Sequence, residues 1–309
     1  MVNTAVILAA GRGTRLKELG KEIPKGFLQL GEKPIIVESL EKLSAVGIEQ
    51  VVIVTGHCAE KYEELARSWN SEAEVRGQIE MRNPSETMPL CSARPSLTRV
   101  VTVHNDRYAD SGSLYSLYLA GRVLEENSDG FLLLESDLVY ESRALRVLQE
   151  DPRPDLILVS GITNSGDEVW VQTESGYLRA LSKDRSKLEP VETQARPGIG
   201  EGGKTKYEGT KDEPGGKVKN GPGHKAGSSA EILGELVGIS KISTRLYSEL
   251  SKVAEGLFQK SLHVEYETGL METAKRHPIP CLLVPDLLWA EIDDANHLER
   301  AKRVYGRLS

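Results

Sequence analysis

Residues Ala5 to Ala10 are apolar throughout, the pattern of a short strand buried on both faces. Gly11 to Leu16 follows with two glycines and reads as a turn. From Pro34 to Val46 the apolar residues Ile35, Ile36, Leu40 and Leu43 recur at helical spacing, and Gly47 supplies a stop. Gln50 to Thr55 is a second, β-branched strand, and Ala59 to Trp69 a second helix. This alternation predicts an α/β chain with a Rossmann-like, doubly wound, mainly parallel sheet.

Ser113 to Val123 predicts another helix, with Leu114, Leu117 and Tyr118 on one side. Phe131 to Leu134, Asp155 to Ser160, Leu236 to Ile242 and Leu282 to Pro285 read as further strands, and Ala295 to Tyr305 as a closing helix. Val169 to Thr173 and Tyr177 to Leu181 predict a hairpin around Gly176, a small β-rich portion beside the main sheet. Two segments fit none of this. Residues 77–100 have little periodicity and carry Pro84, Pro89 and Pro95; residues 191–230 are rich in Gly, Pro and Lys and almost without large apolar side chains. The second is expected to be a flexible surface insertion in a single domain spanning 1–309.

Composition narrows the class. A length of 309 residues with 39% hydrophobic positions suits one large α/β domain. A net charge of -7 gives no general reason to expect nucleic acid or an anionic membrane as partner. Cys58, Cys91 and Cys281 form no metal-binding pair and read as reduced thiols. No stretch has the length of a membrane span, and no signal peptide is visible, so a cytoplasmic protein is expected.

The chemistry begins at Leu8-Ala9-Ala10-Gly11-Arg12-Gly13-Thr14-Arg15-Leu16, with Pro24-Lys25-Gly26-Phe27-Leu28 after it. Small residues after a strand let backbone N–H groups approach a polyphosphate. Arg15 can fork onto phosphate, and Lys25 adds a point charge. A bare pair of glycines is equally a tight turn. The pattern lacks both the lysine of a P-loop and the third glycine of a dinucleotide fingerprint. Farther on, Asp137 follows the apolar run Phe131 to Leu134, at the strand end where α/β sheets bind ligands. In an extended Glu291-Ile292-Asp293 the two carboxylates share one face. Two carboxylates from distant segments can hold one magnesium ion; a strand-end cap at Asp137 and a helix start at Asp293 or Asp294 are the plain alternatives.

The full set of motifs resembles the sugar-nucleotidyltransferase superfamily: LAAGRGTRL, PKGFL and Lys33-Pro34 at the start, then Asn105-Asp106-Arg107-Tyr108-Ala109-Asp110 and Ser113-Leu114-Tyr115-Ser116-Leu117. Leu133-Leu134-Glu135-Ser136-Asp137-Leu138, Ser165-Gly166-Asp167-Glu168-Val169 and Gly234-Glu235-Leu236-Val237-Gly238-Ile239-Ser240 are similar to the 2-aminoethylphosphonate cytidylyltransferases of its phosphocholine cytidylyltransferase-like branch. The resemblance implies CTP as nucleotide and Mg2+ held by Asp137 and Asp293, with Glu291 beside them. It implies Arg15 and Lys25 as catalytic cations, and nucleotide contacts from Leu8, Ala10, Gly11, Gly13, Thr14 and Ser113. A phosphonate oxygen is already anionic, so it can attack the α-phosphorus without a Ser, Cys or His base; catalysis is then positioning and charge neutralisation.

For the acceptor, Lys183 is the expected cation for the anionic head, and Asp110, Glu168 and Glu267 are candidate carboxylates for the amine. Tyr108, Tyr115, Trp170 and Tyr266 could instead form an aromatic cage for a trimethylammonium. Tyr266-Glu267 sits where the phosphocholine relatives carry an aromatic and an acid. A primary amine is favoured, with phosphocholine, a sugar 1-phosphate and a non-catalytic nucleotide-binding role as the rival readings.

Overall fold

Six consecutive buried residues make Thr4–Ala9 the central strand β1. It pairs in parallel with β2 (Gln50–Thr55) on one side and β4 (Phe131–Glu135) on the other, and β3 (Arg99–His104) continues in parallel beyond β2. The long strand β9 (Ala230–Ile242) runs antiparallel to β4 and to β6 (Leu156–Ser160), and β10 (Cys281–Val284) lies parallel to β6. The order is β10-β6-β9-β4-β1-β2-β3, with the hairpin β7 (Trp170–Glu174) and β8 (Tyr177–Ser182) attached to the outer half of β9 through β7. A separate ladder pairs β5 (Leu138–Tyr140) with β11 (Trp289–Glu291) in antiparallel fashion. The computed structural model describes residues 1–16, 23–82, 97–124, 129–188 and 230–308.

Alternation along the strands feeds two buried clusters, one on each face of the sheet. Ala5, Ile7 and Ala9 of β1 pack with Ile36, Leu40 and Leu43 of α1 (Ile35–Ala45) and with Tyr62 and Ala66 of α2 (Ala59–Arg82). Val6 and Leu8 face the other way, onto Leu117 of α3 (Ser113–Ala120). The first face also takes Leu145 and Leu148 of α4 (Arg143–Glu150). The second takes Leu246 and Leu250 of α5 (Thr244–Phe258) and Leu270 of α6 (Tyr266–Ala274). The sheet is therefore mainly parallel and flanked by helices on both faces, as the alternation predicts. The last helix, α7 (Ala295–Tyr305), is capped by Asp294, whose side chain accepts from the Asn296 and His297 amides.

The first irregular segment is shorter than the sequence suggests. Helix α2 runs to Arg82 instead of ending near Trp69, and Arg99 and Val100 already belong to β3. The extra turns follow a polar stretch with no apolar stripe to reveal them. Their start is fixed by Asn70, whose side-chain amide donates to Val100 O at 2.9 Å and accepts from Val100 N at 2.8 Å. Residues 83–96 lie outside the described residues. So do 189–229; Ala230, the last residue of the expected insertion, opens β9.

Candidate active site

The glycine turn leaves the end of β1 at the carboxyl edge of the parallel strands. Gly13 has φ +59°, a left-handed conformation that a side chain resists, and Leu16 N donates to Gly13 O at 3.0 Å to close the turn. Lys25 opens a single 3-10 turn behind Pro24. Its neighbour Gly26 has no room for a Cβ, which would stand 2.9 Å from Tyr62 Oη and 3.2 Å from Ser136 O. That close approach presses Lys25 toward the loop after β4. The Ser136 amide donates to Leu8 O at 3.1 Å, so that loop stays beside the end of β1.

Asp293 arrives from the far end of the chain. The β5–β11 ladder sets Glu291 opposite Leu138, and Ile292 N then donates to Asp137 O at 3.1 Å. Lys25 Nζ thereby lies 2.6 Å from Asp137 Oδ2 and 2.5 Å from Asp293 Oδ1. Arg15 reaches Asp293 Oδ1 at 2.8 Å and Asp167 Oδ2 at 3.1 Å, and Lys183 Nζ meets the same Asp167 oxygen at 2.8 Å. All of these side chains except Asp167 border a cleft of about 640 Å³. Leu8, Ala10, Gly11, Gly13, Thr14, Arg15, Lys25, Ser113, Asp137, Lys183, Tyr266, Glu267, Glu291 and Asp293 all line it.

Two expected residues do not reach the cleft's lining. Asp110 is held on the exposed surface by Arg107, whose Nε lies 3.0 Å from Oδ1 and 2.9 Å from Oδ2. Glu168 folds back to accept from Gly166 N at 3.1 Å. Ser113 does line the cleft, but its hydroxyl donates to Glu265 Oε2 at 2.5 Å and accepts from Tyr266 N at 2.9 Å. Residues that the sequence reading passed over also stand here. Glu135 accepts from Tyr266 Oη at 2.7 Å, and Glu265 caps α3 through Ser113 N at 3.0 Å. A signal for Glu135 exists: a carboxylate ending an otherwise apolar strand, two residues before Asp137 and therefore on its face.

Burial alone would lower the Lys25 ammonium, but Asp137 and Asp293 outweigh it and hold it above its ordinary value. Burial pushes the Asp293 carboxyl up, whereas Lys25 and Arg15 pull it down further, to about 2. Glu135 and Glu291 are raised well above the usual range, first by burial and then by neighbouring carboxylates, Asp137 among them. Burial lifts Glu267 to about 7.

These acids fit a hard divalent cation. One oxygen each from Glu135, Asp137 and Glu291 lies within 4.8 Å of the others, and Asp293 Oδ2 is buried with no hydrogen-bond partner among the described residues. All the donors are carboxylate oxygens, the set that magnesium prefers.

The chain is 28% identical over 181 residues to the choline-phosphate cytidylyltransferase of Streptococcus pneumoniae, a match covering 56% of the chain and 66% of that enzyme. It is 28% identical over 185 residues to the 2-aminoethylphosphonate cytidylyltransferase of Lancefieldella rimae, covering 59% and 61%. The bifunctional IPC transferase and DIPP synthase of Aquifex aeolicus is 25% identical over 305 residues, covering 98% of the chain and 52% of that protein. The chain thus spans about half to two thirds of the length of these curated relatives. The fold is shared with the inositol-1-phosphate CTP transferase from T. maritima, at a TM-score of 0.62 and 15% identity over 99% of the chain and 96% of that structure. It is shared equally with the CTP:phosphocholine cytidylyltransferase from Streptococcus pneumoniae, at a TM-score of 0.62 and 17% identity over 98% and 99%. Residues 5–187 match the MobA-like NTP transferase domain, a stretch that holds the glycine turn, Lys25, Asp137 and Lys183; the chain belongs to this family of nucleotidyltransferases.

Proposed function

We propose that the cleft transfers CMP from CTP to 2-aminoethylphosphonate and releases pyrophosphate. The observation that carries this reading is the meeting, in one cleft, of the Lys25–Asp137–Asp293–Arg15 ion cluster with a half-buried acid, Glu267, whose Oε2 is buried with no partner among the described residues. Arg15, Lys25 and the amides of residues 11–14 orient the triphosphate and neutralise its charge. Lys183 holds the phosphonate head, and Glu267 receives the ammonium. A phosphonate oxygen, anionic without help from a base, forms the new bond to the α-phosphorus as the bond to pyrophosphate breaks. Asp137 and Asp293, with Glu291 beside them, would hold magnesium, which supplies further charge neutralisation when bound.

The aromatics support a primary amine over a trimethylammonium. Tyr115 packs edge-on against Phe258 at 5.4 Å, Arg185 lies over Trp170 at 5.0 Å, and Tyr266 is committed to Glu135. Only Tyr108 of the remaining cage candidates lines the cleft. A second reading, inositol 1-phosphate as acceptor, draws on the inositol-1-phosphate CTP transferase from T. maritima, which shares the fold over 99% of this chain. A cytosolic setting belongs to the same proposal, and no helix among the described residues is long and apolar enough to cross a membrane.

The test is pyrophosphate release from CTP or UTP with magnesium and one of 2-aminoethylphosphonate, phosphocholine or inositol 1-phosphate. Release with CTP and 2-aminoethylphosphonate above the other pairs is expected. Preference for phosphocholine or the inositol ester would overturn the acceptor, and preference for UTP the nucleotide.

A further inference from the structure

Asp167 lies on the loop 161–169 between β6 and β7, and its Oδ2 accepts from two cations of separate halves of the cleft. One is Arg15 on the glycine turn, at 3.1 Å; the other is Lys183 just after β8, at 2.8 Å. Two cations this close to one another repel, and a shared carboxylate is what lets them converge. From these contacts we propose that Asp167 is a positioning residue that yokes Arg15 to Lys183, so that the guanidinium serving the nucleotide and the ammonium serving the acceptor keep a fixed separation.

The loop is constructed to present that carboxylate. Its base is fastened by Glu235, 2% exposed, which accepts from Thr163 N at 2.8 Å and Thr163 Oγ1 at 3.0 Å. At its root Gly161 has no space for a Cβ, which would stand 2.3 Å from Pro285 O. Asn164 (φ +54°) and Gly166 (φ +90°) both take the left-handed conformation, and Gly166 N is held by Glu168 Oε1 at 3.1 Å. A residue fastened this way adjusts little when ligands arrive. Arg15 offers five N–H donors and Lys183 three; Asp167 takes one of each and Asp293 a second from Arg15, and the remaining donors can serve phosphate.

In-line transfer requires the acceptor oxygen and the α-phosphorus at a set distance, and a misplacement of about 1 Å can lower the rate about a hundredfold. The yoke acts on that distance and not on affinity. This inference rests on the cytidylyltransferase reading for its kinetic arm only.

The experiment compares the parent with Asp167→Asn and Asp167→Glu. In CTP-dependent pyrophosphate release, Asp167→Asn is expected to lower kcat about ten- to hundredfold while the KM values for CTP and acceptor move less than about threefold. Asp167→Glu, which keeps the charge, should recover part of kcat. In the ligand-free protein, nitrogen-detected NMR of the Arg15 and Lys183 side chains should show both signals displaced in Asp167→Asn, and a melting temperature close to the parent's should exclude general unfolding. A kcat within twofold of the parent, a rise in KM at constant kcat, or displacement of one side-chain signal without the other would each overturn the yoke. If the parent releases no pyrophosphate from CTP, the functional reading fails, and the NMR comparison still decides the role of Asp167.

Discussion

On the glycine-turn side of the cleft, charges are matched inside the protein: Lys25 meets Asp137 and Asp293, and Arg15 meets Asp293 and Asp167. On the α6 side they are not. Glu135 and Glu267 are both half-buried there; Glu135 is met by the Tyr266 hydroxyl, while the buried Glu267 Oε2 has no partner among the described residues. The opposite pKa shifts follow from this. Asp293 is pulled down by its cations, whereas Glu135 and Glu267 are pushed up by burial and by other acids. On the proposed function, the first arrangement would exchange its internal partners for metal and phosphate. The second favours the protonated, neutral carboxyls, and an arriving cation would favour their ionised form.

Breaking the matched side should have the largest effect. Asp137→Ala or Asp293→Ala is expected to lower turnover about a thousandfold, on the basis that several kcal/mol of transition-state stabilisation pass through these carboxylates; single-turnover pyrophosphate release at saturating magnesium measures it. Lys25→Ala leaves Asp137 without its cation, leaves Asp293 with Arg15 alone and removes a cation from the triphosphate, for a loss of about a hundredfold in kcat/KM. Arg15→Lys keeps the charge but forfeits the fork between Asp293 and Asp167. A decline of about tenfold is expected, near the worth of one charge-assisted hydrogen bond. Activity equal to the parent in either variant, with unchanged CTP affinity by titration calorimetry, would contradict the role assigned to the cluster.

The unmatched side is sharpened by the acceptor. Replacing an ammonium by a trimethylammonium removes every N–H donor and leaves the Glu267 carboxylate unsatisfied, a penalty of roughly 1–3 kcal/mol. The ratio of kcat/KM for 2-aminoethylphosphonate over phosphocholine should therefore be about 5 to 150, and should collapse in Glu267→Gln. The smallest effect is on pH. With its carboxyl at about 7, Glu267 is protonated below that point and ionised above it, so acceptor KM should fall as pH rises through 7 and stay flat in Glu267→Gln. Stability runs the other way. Between the ordinary glutamate value of 4.5 and about 7 the folded state keeps a proton that the unfolded chain has lost, so folding stability declines as pH rises through that window. Thermal melts of parent and Glu267→Gln at pH 5 and 8 measure it; equal differences at both pH values would contradict the shift.

What the sequence reveals of this site depends on how local its logic is. Arg15, Lys25 and Asp137 stand at ends of apolar runs or in small-residue turns, and Asp293 shares an extended face with Glu291, so pattern alone brings them forward. Asp110 and Glu168 lie within equally suggestive motifs, yet the structure keeps them off the cleft. Arg107, three residues from Asp110, captures one, and the turn at Gly166 captures the other. Glu135 is hidden by its own strand, where four buried apolar residues draw attention away from the acid that ends it. The β5–β11 ladder is invisible locally because each strand is three residues long and its partner is about 150 residues away. Helix α5, with buried Leu246, Leu250 and Ala254, is legible in principle from its four-residue spacing but is absent from the sequence-based reading.

Strand β9 has a practical consequence for engineering. Its outer end, Ala230 to Gly234, ladders with β7, while Ile239 to Ile242 ladder with β4 beside the acids of the cleft. The inner register is locked from the opposite end, because Gly130 packs so tightly under Ile242 that a Cβ there would stand 2.3 Å from its carbonyl oxygen. Chain length between Leu188 and Ala230 is therefore decoupled from the placement of Glu135 and Asp137. A reporter peptide or affinity handle grafted into that interval is expected to be carried at the outer end of the strand, and Glu135, which follows Leu134 opposite Ile239, to keep its alignment.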